Sequence, residues 1–107
     1  MSTGQLDHTI HQPTRLRIVA ALYALPSDAQ VDFSYLRDQL QLTDGNLGAH
    51  LAKLEAGSYI ELEKVFVKRM PRTYIHLTGH GRDAFERHVE ALRRILNSSD
   101  DAPNATP

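Results

Sequence analysis

The chain has 107 residues, of which 41% are hydrophobic, and this size and composition predict one globular domain. It contains no cysteine, which excludes disulfide scaffolds, cysteine-based zinc ribbons and thiol redox chemistry. The formal net charge of −1 argues against a protein that coats nucleic acid without discrimination.

The N-terminal residues 1–11 read as a flexible arm that gains apolar character at Leu6 and Ile10. They lack the basic start and apolar core of a signal peptide, and the chain has no apolar run that approaches the roughly 20 residues of a membrane span. We therefore expect a cytoplasmic protein without a membrane partner. Pro13 suits the first turn of a helix, and the apolar residues after it lie on more than one face, which predicts a largely buried helix.

The middle of the chain predicts two consecutive helices. Residues 30–32 form a brief extended link, and residues 33–40 carry apolar side chains at helical spacing. Thr43 is the expected N-cap of the next helix, and Gly57 its expected end. That helix would turn three leucines inward: Leu47, Leu51 and Leu54. Two helices joined by roughly 3–4 residues form a helix-turn-helix unit.

Two β-rich stretches follow, residues 59–67 and residues 73–77, which predict a hairpin. Met70, Pro71 and Arg72 are the expected turn region. Three apolar residues, Tyr59, Ile75 and Leu77, are expected to anchor the hairpin on the helices. Basic residues are concentrated near the tip, which favours a local contact with an anionic partner over a global one.

The C-terminal region predicts a last helix that Thr78 caps and that runs to about residue 97. Its apolar residues step by four, three and four positions, a narrow seam of coiled-coil type: Phe85, Val89, Leu92 and Leu96. The polar, acidic, proline-containing residues 98–107 are expected to be a disordered tail.

The order helix, short strand, helix, helix, strand, strand, helix predicts a mainly α (α+β) fold. We interpret residues 12–97 as a winged helix-turn-helix with a two-stranded β wing and a C-terminal dimerisation helix over about residues 79–97. Two stretches carry a close resemblance to the small winged-helix transcriptional regulators related to the MarR and ArsR families. These are LTDGNLGAHLAKLEAGSYIELEKVF and PRTYIHLTGHGRDAF, and the opening LDHTIHQPTRLRIVAAL is similar to the first helix of that group.

The resemblance implies a dimeric regulator of operator DNA, with the second helix of the turn motif in the major groove and the wing beside it. Members of this group often have Ser where this chain has Gly48, a departure that removes a hydroxyl from the presumed DNA-facing helix and puts one phosphate or base contact of the group in doubt, but not the fold. We expect a homodimer on a palindromic operator and a repressor that acts by steric blockage. Its effector, whether a small molecule or a metal, is unknown.

The residues expected to contact double-stranded DNA lie on the outer face of the second helix and on the hairpin: Thr43, Asn46, Ala49, His50, Lys53, Lys64, Lys68, Arg69 and Arg72. Asn46 suits adenine recognition, Lys53 suits phosphate, and arginines suit a narrow minor groove. Alternatively, the helix residues are only solvated, and the wing cations only discourage strand aggregation. Arg15 and Arg17, on the first helix, suit phosphate contact and ion pairing equally.

The dimer interface is expected at a row of apolar residues that is too long for so small a domain to cover by itself: Leu6, Ile10, Phe85, Val89, Leu92 and Leu96.

Six histidines admit a metal site, but without cysteine or well-spaced carboxylates we expect no metal and no cofactor. No catalytic constellation is present in the sequence, so we expect no enzyme. The alternative function is a winged-helix module for protein interaction that does not bind DNA.

Overall fold

The structure is a computed structural model, and it describes residues 6–100. This part of the chain contains five helices and three strands. The helices are α1 (His8–His11), α2 (Pro13–Tyr23), α3 (Phe33–Leu40), α4 (Asp44–Ala56) and α5 (Gly79–Asp100). The strands are β1 (Gln30–Asp32), β2 (Ile60–Val67) and β3 (Met70–Leu77). The architecture is a winged helix, as the order of elements predicted. Among the described residues, no helix is both long and apolar enough to cross a membrane.

The N-terminal segment is an integral part of the domain from Asp7 onward. The Asp7 carboxylate caps α1 by accepting hydrogen bonds from the backbone N–H groups of Thr9 (2.9 Å) and Ile10 (3.2 Å). Ile10 is fully buried in the core of its own chain. The expectation of a flexible arm is therefore wrong for residues 7–11, while residues 1–5 lie outside the described residues. The prediction of Ile10 as a dimer contact needs the same correction, since it has no exposed surface.

The helix-turn-helix is built by capping interactions at both sides of a three-residue turn. Gln41 ends α3 with a left-handed backbone (φ 57°), and the Leu42 N–H donates to the Arg37 carbonyl (3.0 Å). The Thr43 hydroxyl then accepts the N–H of Asn46 (3.1 Å), which confirms the predicted N-cap of α4.

The end of α4 has a Schellman geometry. The N–H of Tyr59 donates to the Leu54 carbonyl (3.0 Å) and that of Ser58 to the Glu55 carbonyl (2.9 Å). Gly57 marks the helix end as predicted, but the left-handed residue is Ser58 (φ 65°). Gly57 is required for another reason, because a Cβ there would lie 2.5 Å from the Tyr59 ring.

The sheet has the strand order β1-β3-β2, with all pairs antiparallel. The predicted extended link at residues 30–32 is a third strand, which pairs with the base of the hairpin. The hairpin turns one face towards the helices, and Ile60, Ile75 and Leu77 on that face are buried. Tyr59 is buried as well, so the predicted anchoring of the hairpin is confirmed.

The hairpin turn lies at Lys68 and Arg69, and the predicted turn at Met70–Arg72 is wrong. Val67 pairs with Met70, so the loop has two residues, and both have positive φ (53° and 70°). Positive φ at both positions is the type I′ form that matches the strand twist. Glycine or asparagine normally signals this turn, and neither is present here. Pro71 is tolerated inside β3 because β1 does not extend far enough to pair with it.

The last helix begins as predicted and continues further. The Thr78 hydroxyl accepts the N–H of Gly81 (2.9 Å), which confirms the predicted cap of α5. The helix extends to Asp100, so the expected start of the tail at residue 98 is too early. The rest of the predicted tail, residues 101–107, lies outside the described residues.

A buried histidine joins α5 to the N-terminal segment. His88 on α5 is 1% exposed, and its Nδ1 accepts the backbone N–H of Asp7 (3.2 Å). Because Nδ1 is an acceptor, neutral His88 carries its proton on Nε2, which lies 3.4 Å from Nδ1 of His11. Burial and the neighbouring His11 lower the pKa of His88, although the Asp7 carboxylate opposes this shift.

The pKa of His88 predicts the pH dependence of stability. A histidine with a lowered pKa in the folded state binds its proton more readily when unfolded, so stability is complete above the ordinary value of 6.5. As pH falls below that value, His88 should contribute a loss of up to about 1.4 kcal/mol per pH unit. Denaturant unfolding across this range should give a flatter pH profile for His88→Gln. Exposed His8 supplies the control, since His8→Gln should keep the wild-type slope. Equal slopes for His88→Gln and wild type would contradict this assignment.

Candidate nucleic-acid interface

The helix α4 exposes the face that the sequence assigned to DNA. Three leucines, Leu47, Leu51 and Leu54, are buried as predicted. The expected contact residues of α4 occupy the remaining surface: Asn46, Ala49 and Lys53 are exposed and His50 is half-buried. The structure therefore brings these four residues together on one solvent-facing side of a 13-residue helix.

The start of α4 is held by α3 through an ion pair. Asp44, in the first turn, accepts a hydrogen bond from Arg37 (2.8 Å), and Arg37 also binds Asp38 (2.9 Å). The hydrogen bonds to Asp38 and then Asp44 raise the pKa of Arg37 above its ordinary value. Asp44 thus acts at the positive end of the helix dipole, and Arg37 offsets its negative charge beside the candidate DNA surface. Thr43, also expected at DNA, is exposed, and its hydroxyl oxygen serves as the cap.

Two glycines on α4 have no packing function within the domain. A Cβ built on Gly45 or Gly48 would meet nothing within 4 Å. Glycine inside a helix costs roughly 1 kcal/mol relative to alanine, so this sequence forgoes stability at Gly48, which lies inside α4. A helix with these glycines and Ala49 on its surface lets a ligand approach close to its backbone.

The hairpin carries three exposed cations that make no ion pair within the part of the chain that the structure describes: Lys64, Lys68 and Arg69. Arg72 differs from them, because its guanidinium lies 3.6 Å from Asp32, the residue that caps α3. Arg72 remains partly exposed but has a competing anion.

The arginines of α2 are engaged in helix ends. Arg15 donates through Nε to the carbonyl of Thr9, and Arg17 donates through Nη2 to the carbonyl of Leu40 (2.8 Å). Both side chains therefore bind backbone carbonyl oxygens of other helices, Arg15 within α1 and Arg17 at the end of α3. The sequence had suggested phosphate contact or ion pairing for these two arginines, and binding to backbone carbonyls is neither of these.

The apolar seam of α5 passes from the body of the domain into solvent. Phe85 is half-buried and packs against Tyr23 with the two rings tilted by 45° and their centroids 4.8 Å apart, and Val89 and Leu92 are half-buried. Leu96 is 64% exposed, and Ile95, which the seam prediction missed, is 47% exposed. Leu6, at the start of the described chain, is half-buried. The free apolar surface of α5 thus lies at its C-terminal end.

Residues 14–96 match the sequence profile of a winged helix DNA-binding domain. The chain belongs to this family. It is 41% identical over 81 residues to the uncharacterized protein MJ0432 of Methanocaldococcus jannaschii, covering 76% of this chain and 85% of that protein.

The solved structures support the same family. A transcriptional regulator homologue protein from Pyrococcus horikoshii superposes with a TM-score of 0.80 at 30% identity, covering 88% of this chain and 90% of that one. AbsC, a MarR family transcriptional regulator from Streptomyces coelicolor, has the same fold with a TM-score of 0.60 at 21% identity, covering 96% and 80%. The protein is a DNA-binding winged helix of the transcriptional-regulator type.

Sequence reasoning missed three features of this winged helix. The first is the ion pair between Arg37 and Asp44, although a cation in the last turn of α3 and an acid in the first turn of α4 are a detectable signal. Ile95 was hidden by the regular stepping of the seam. Nothing in the sequence indicated that Phe66 is exposed, because its position in the strand alternation is the same as that of the buried strand residues.

Among residues 6–100, no cluster of three or more potential metal ligands occurs.

Because the space around Gly48 is open, one substitution there can change stability and DNA binding in opposite directions. We expect Gly48→Ala to stabilise the winged helix by about 0.5–1 kcal/mol, because the added methyl group meets no atom and the helix loses its glycine. The same methyl group should weaken DNA binding if the backbone approaches the groove. Chemical denaturation and fluorescence anisotropy measure the two effects. Gly79→Ala is the control, since Gly79 has equally open space but begins α5. Unchanged DNA affinity in Gly48→Ala would contradict a close approach of the α4 backbone to DNA.

Proposed function

We propose that this protein is a transcriptional repressor that binds a palindromic operator as a homodimer. The observation that carries the proposal is the distribution of cations that lack an ion pair in the described chain. Lys53 on α4 and Lys64, Lys68 and Arg69 on the hairpin are exposed, whereas Arg37 and Arg72 nearby contact carboxylates. Cations held free of carboxylates can neutralise phosphates and release the counterions of DNA.

The helix α4 supplies the sequence-reading contacts in this proposal. Asn46 can make paired hydrogen bonds to adenine, and His50 can reach a base edge, while Lys53 contacts a phosphate. Gly45, Gly48 and Ala49 allow the helix to lie deep in the major groove. The wing then contributes most of the affinity, because three of the four free cations on α4 and the hairpin lie on it.

The helix α5 supplies the dimer contact. Ile95 and Leu96 continue the row formed by Val89 and Leu92 beyond the body of the domain. Covering such side chains with a second copy contributes about 25 cal/mol per Å² of apolar surface. A two-fold dimer presents two recognition helices roughly 34 Å apart, which matches successive major grooves on one side of DNA. Occupation of such a site excludes polymerase by steric blockage.

The DNA contact of the wing has a measurable salt dependence. Wild-type protein should shift a duplex from the upstream region of its own gene, with an affinity that falls steeply as salt rises. Arg69→Ala should weaken binding and reduce the slope of log K against log salt by about two, since each subunit of a dimer loses one phosphate contact.

Arg87→Ala is the matched control for this experiment, since it removes the same charge from α5, outside α4 and the hairpin. It should leave the slope close to the wild-type value. Absence of any DNA binding at low salt would favour the protein-interaction module instead.

The dimer depends on the C-terminal half of α5. Leu96→Glu should convert the dimer to a monomer in sedimentation at micromolar concentration, because a carboxylate cannot be buried at the apolar seam without a partner. Its melting temperature as a monomer can still be measured, since Leu96 is largely exposed within its own chain. Asn97→Glu introduces the same charge one residue along, off the seam, and should remain dimeric. A monomeric wild type would exclude the homodimer.

A further inference from the structure

The tip of the hairpin carries an apolar side chain with no covering partner in the described chain. Phe66 is 78% exposed, the highest fraction among the exposed large hydrophobic residues of the described chain. By strand alternation it lies on the face that packs Ile60 on the core at the hairpin base. The core face of the wing therefore continues outward past the domain and ends in an aromatic ring.

The partner strand places a rigid residue opposite this ring. Phe66 pairs with Pro71, one step beyond the Val67–Met70 pair that closes the turn. Antiparallel pairs alternate between hydrogen-bonded and non-hydrogen-bonded forms, and the closing pair of a turn is hydrogen-bonded. Phe66 and Pro71 thus form a non-hydrogen-bonded pair, in which side chains are closest and the missing proline N–H costs no bond. Pro71 is therefore the cross-strand neighbour of Phe66 on this face.

Cations surround this apolar pair. Lys64 lies two residues before Phe66 on the same face of β2, and the turn itself consists of Lys68 and Arg69. The nearest acid along β2, Glu63, lies on the opposite face. A ring between positive charges fits a partner with an anionic rim and an apolar interior. The minor groove of DNA offers both features, since phosphates line its edges and a partly unstacked base step exposes the apolar faces of its bases.

We propose that Phe66 is a minor-groove wedge. On this proposal the ring enters the groove that flanks the major-groove site of α4 and partly unstacks one base step, while Lys68 and Arg69 bind the adjacent phosphates. Apolar wedges of this kind kink the duplex and bring more of it against the protein. The inference rests on the proposed DNA binding and names the residue that deforms the DNA.

The test uses the full chain and a duplex selected by the wild-type protein from a random-sequence pool. Fluorescent 2-aminopurine is placed at successive steps of the flanking DNA, where unstacking raises its emission. Wild type should raise the emission at one step in each half-site. Phe66→Ala should abolish that rise and weaken binding about tenfold or more, whereas Phe66→Trp should retain both. Because Phe66 is mostly exposed, the melting temperature of Phe66→Ala should stay near the wild-type value.

Met70→Ala is the matched control, since Met70 is a 62% exposed apolar residue at the same tip but on the other face. It should preserve the emission change. Wild-type affinity or wild-type emission in Phe66→Ala would overturn the wedge and leave the proposed function intact. Failure of wild type to select or bind any duplex would overturn both. Binding to vesicles containing phosphatidylglycerol that depends on Phe66, with DNA affinity unchanged by Phe66→Ala, would assign the tip to a membrane surface and overturn the wedge.

Discussion

The chain passes from α4 into the hairpin at Tyr59, where four parts of the protein are fixed to one residue. Its N–H closes the Schellman turn of α4, and its carbonyl accepts bonds from the N–H (3.1 Å) and hydroxyl (3.0 Å) of Thr78 before α5. Its hydroxyl donates to the Asp7 carboxylate (2.8 Å), which also caps α1. Burial and this hydrogen bond raise the pKa of Tyr59, so it remains a neutral donor. Two glycines make room for it, because a Cβ on Gly57 would meet the ring and one on Gly81 would meet the Tyr59 carbonyl. The orientation of α4, the wing and α5 relative to one another depends on this packing.

Local signals predicted most of the fold, and residues that act through distant contacts account for the differences. Thr43 and Thr78 were identified as caps because an N-cap depends on its own helix alone. The placement of Asp7 and Ile10 could not be predicted in this way, since both depend on partners far along the chain. The turn at Lys68 and Arg69 was missed because these residues adopt positive φ without the usual glycine or asparagine. The pairing of β2 with β3 puts Phe66 on the face that packs on the helices, but the domain ends before it, and no local sequence signal indicates where the domain ends.

The candidate interface shows the same division between residue type and environment. The sequence identified the cations of the wing, but it could not show which of them have carboxylate partners. Arg72 contacts Asp32, and Arg37 is engaged by two acids, so neither offers a free charge. Positive φ at a residue other than glycine costs roughly 1–2 kcal/mol, and the turn accepts this cost at both Lys68 and Arg69. That strain places two cations at the tip of the hairpin, where neither makes an ion pair with an acid of the described chain.

The N-terminal segment connects α4 to α5. Asp7 contacts Tyr59 through its carboxylate and His88 through its backbone N–H, so α1 is bonded to both the end of α4 and the middle of α5. Since these bonds are at least partly buried, α4 and α5 should move as one body within a subunit. In the proposed dimer, the distance between the two recognition helices is then set where the α5 helices meet, and not by bending inside the subunit. An effector that changes this distance therefore has to act on the α5 contact or on the α1 bridge, where a coupling of about 1–3 kcal/mol suffices to change operator affinity.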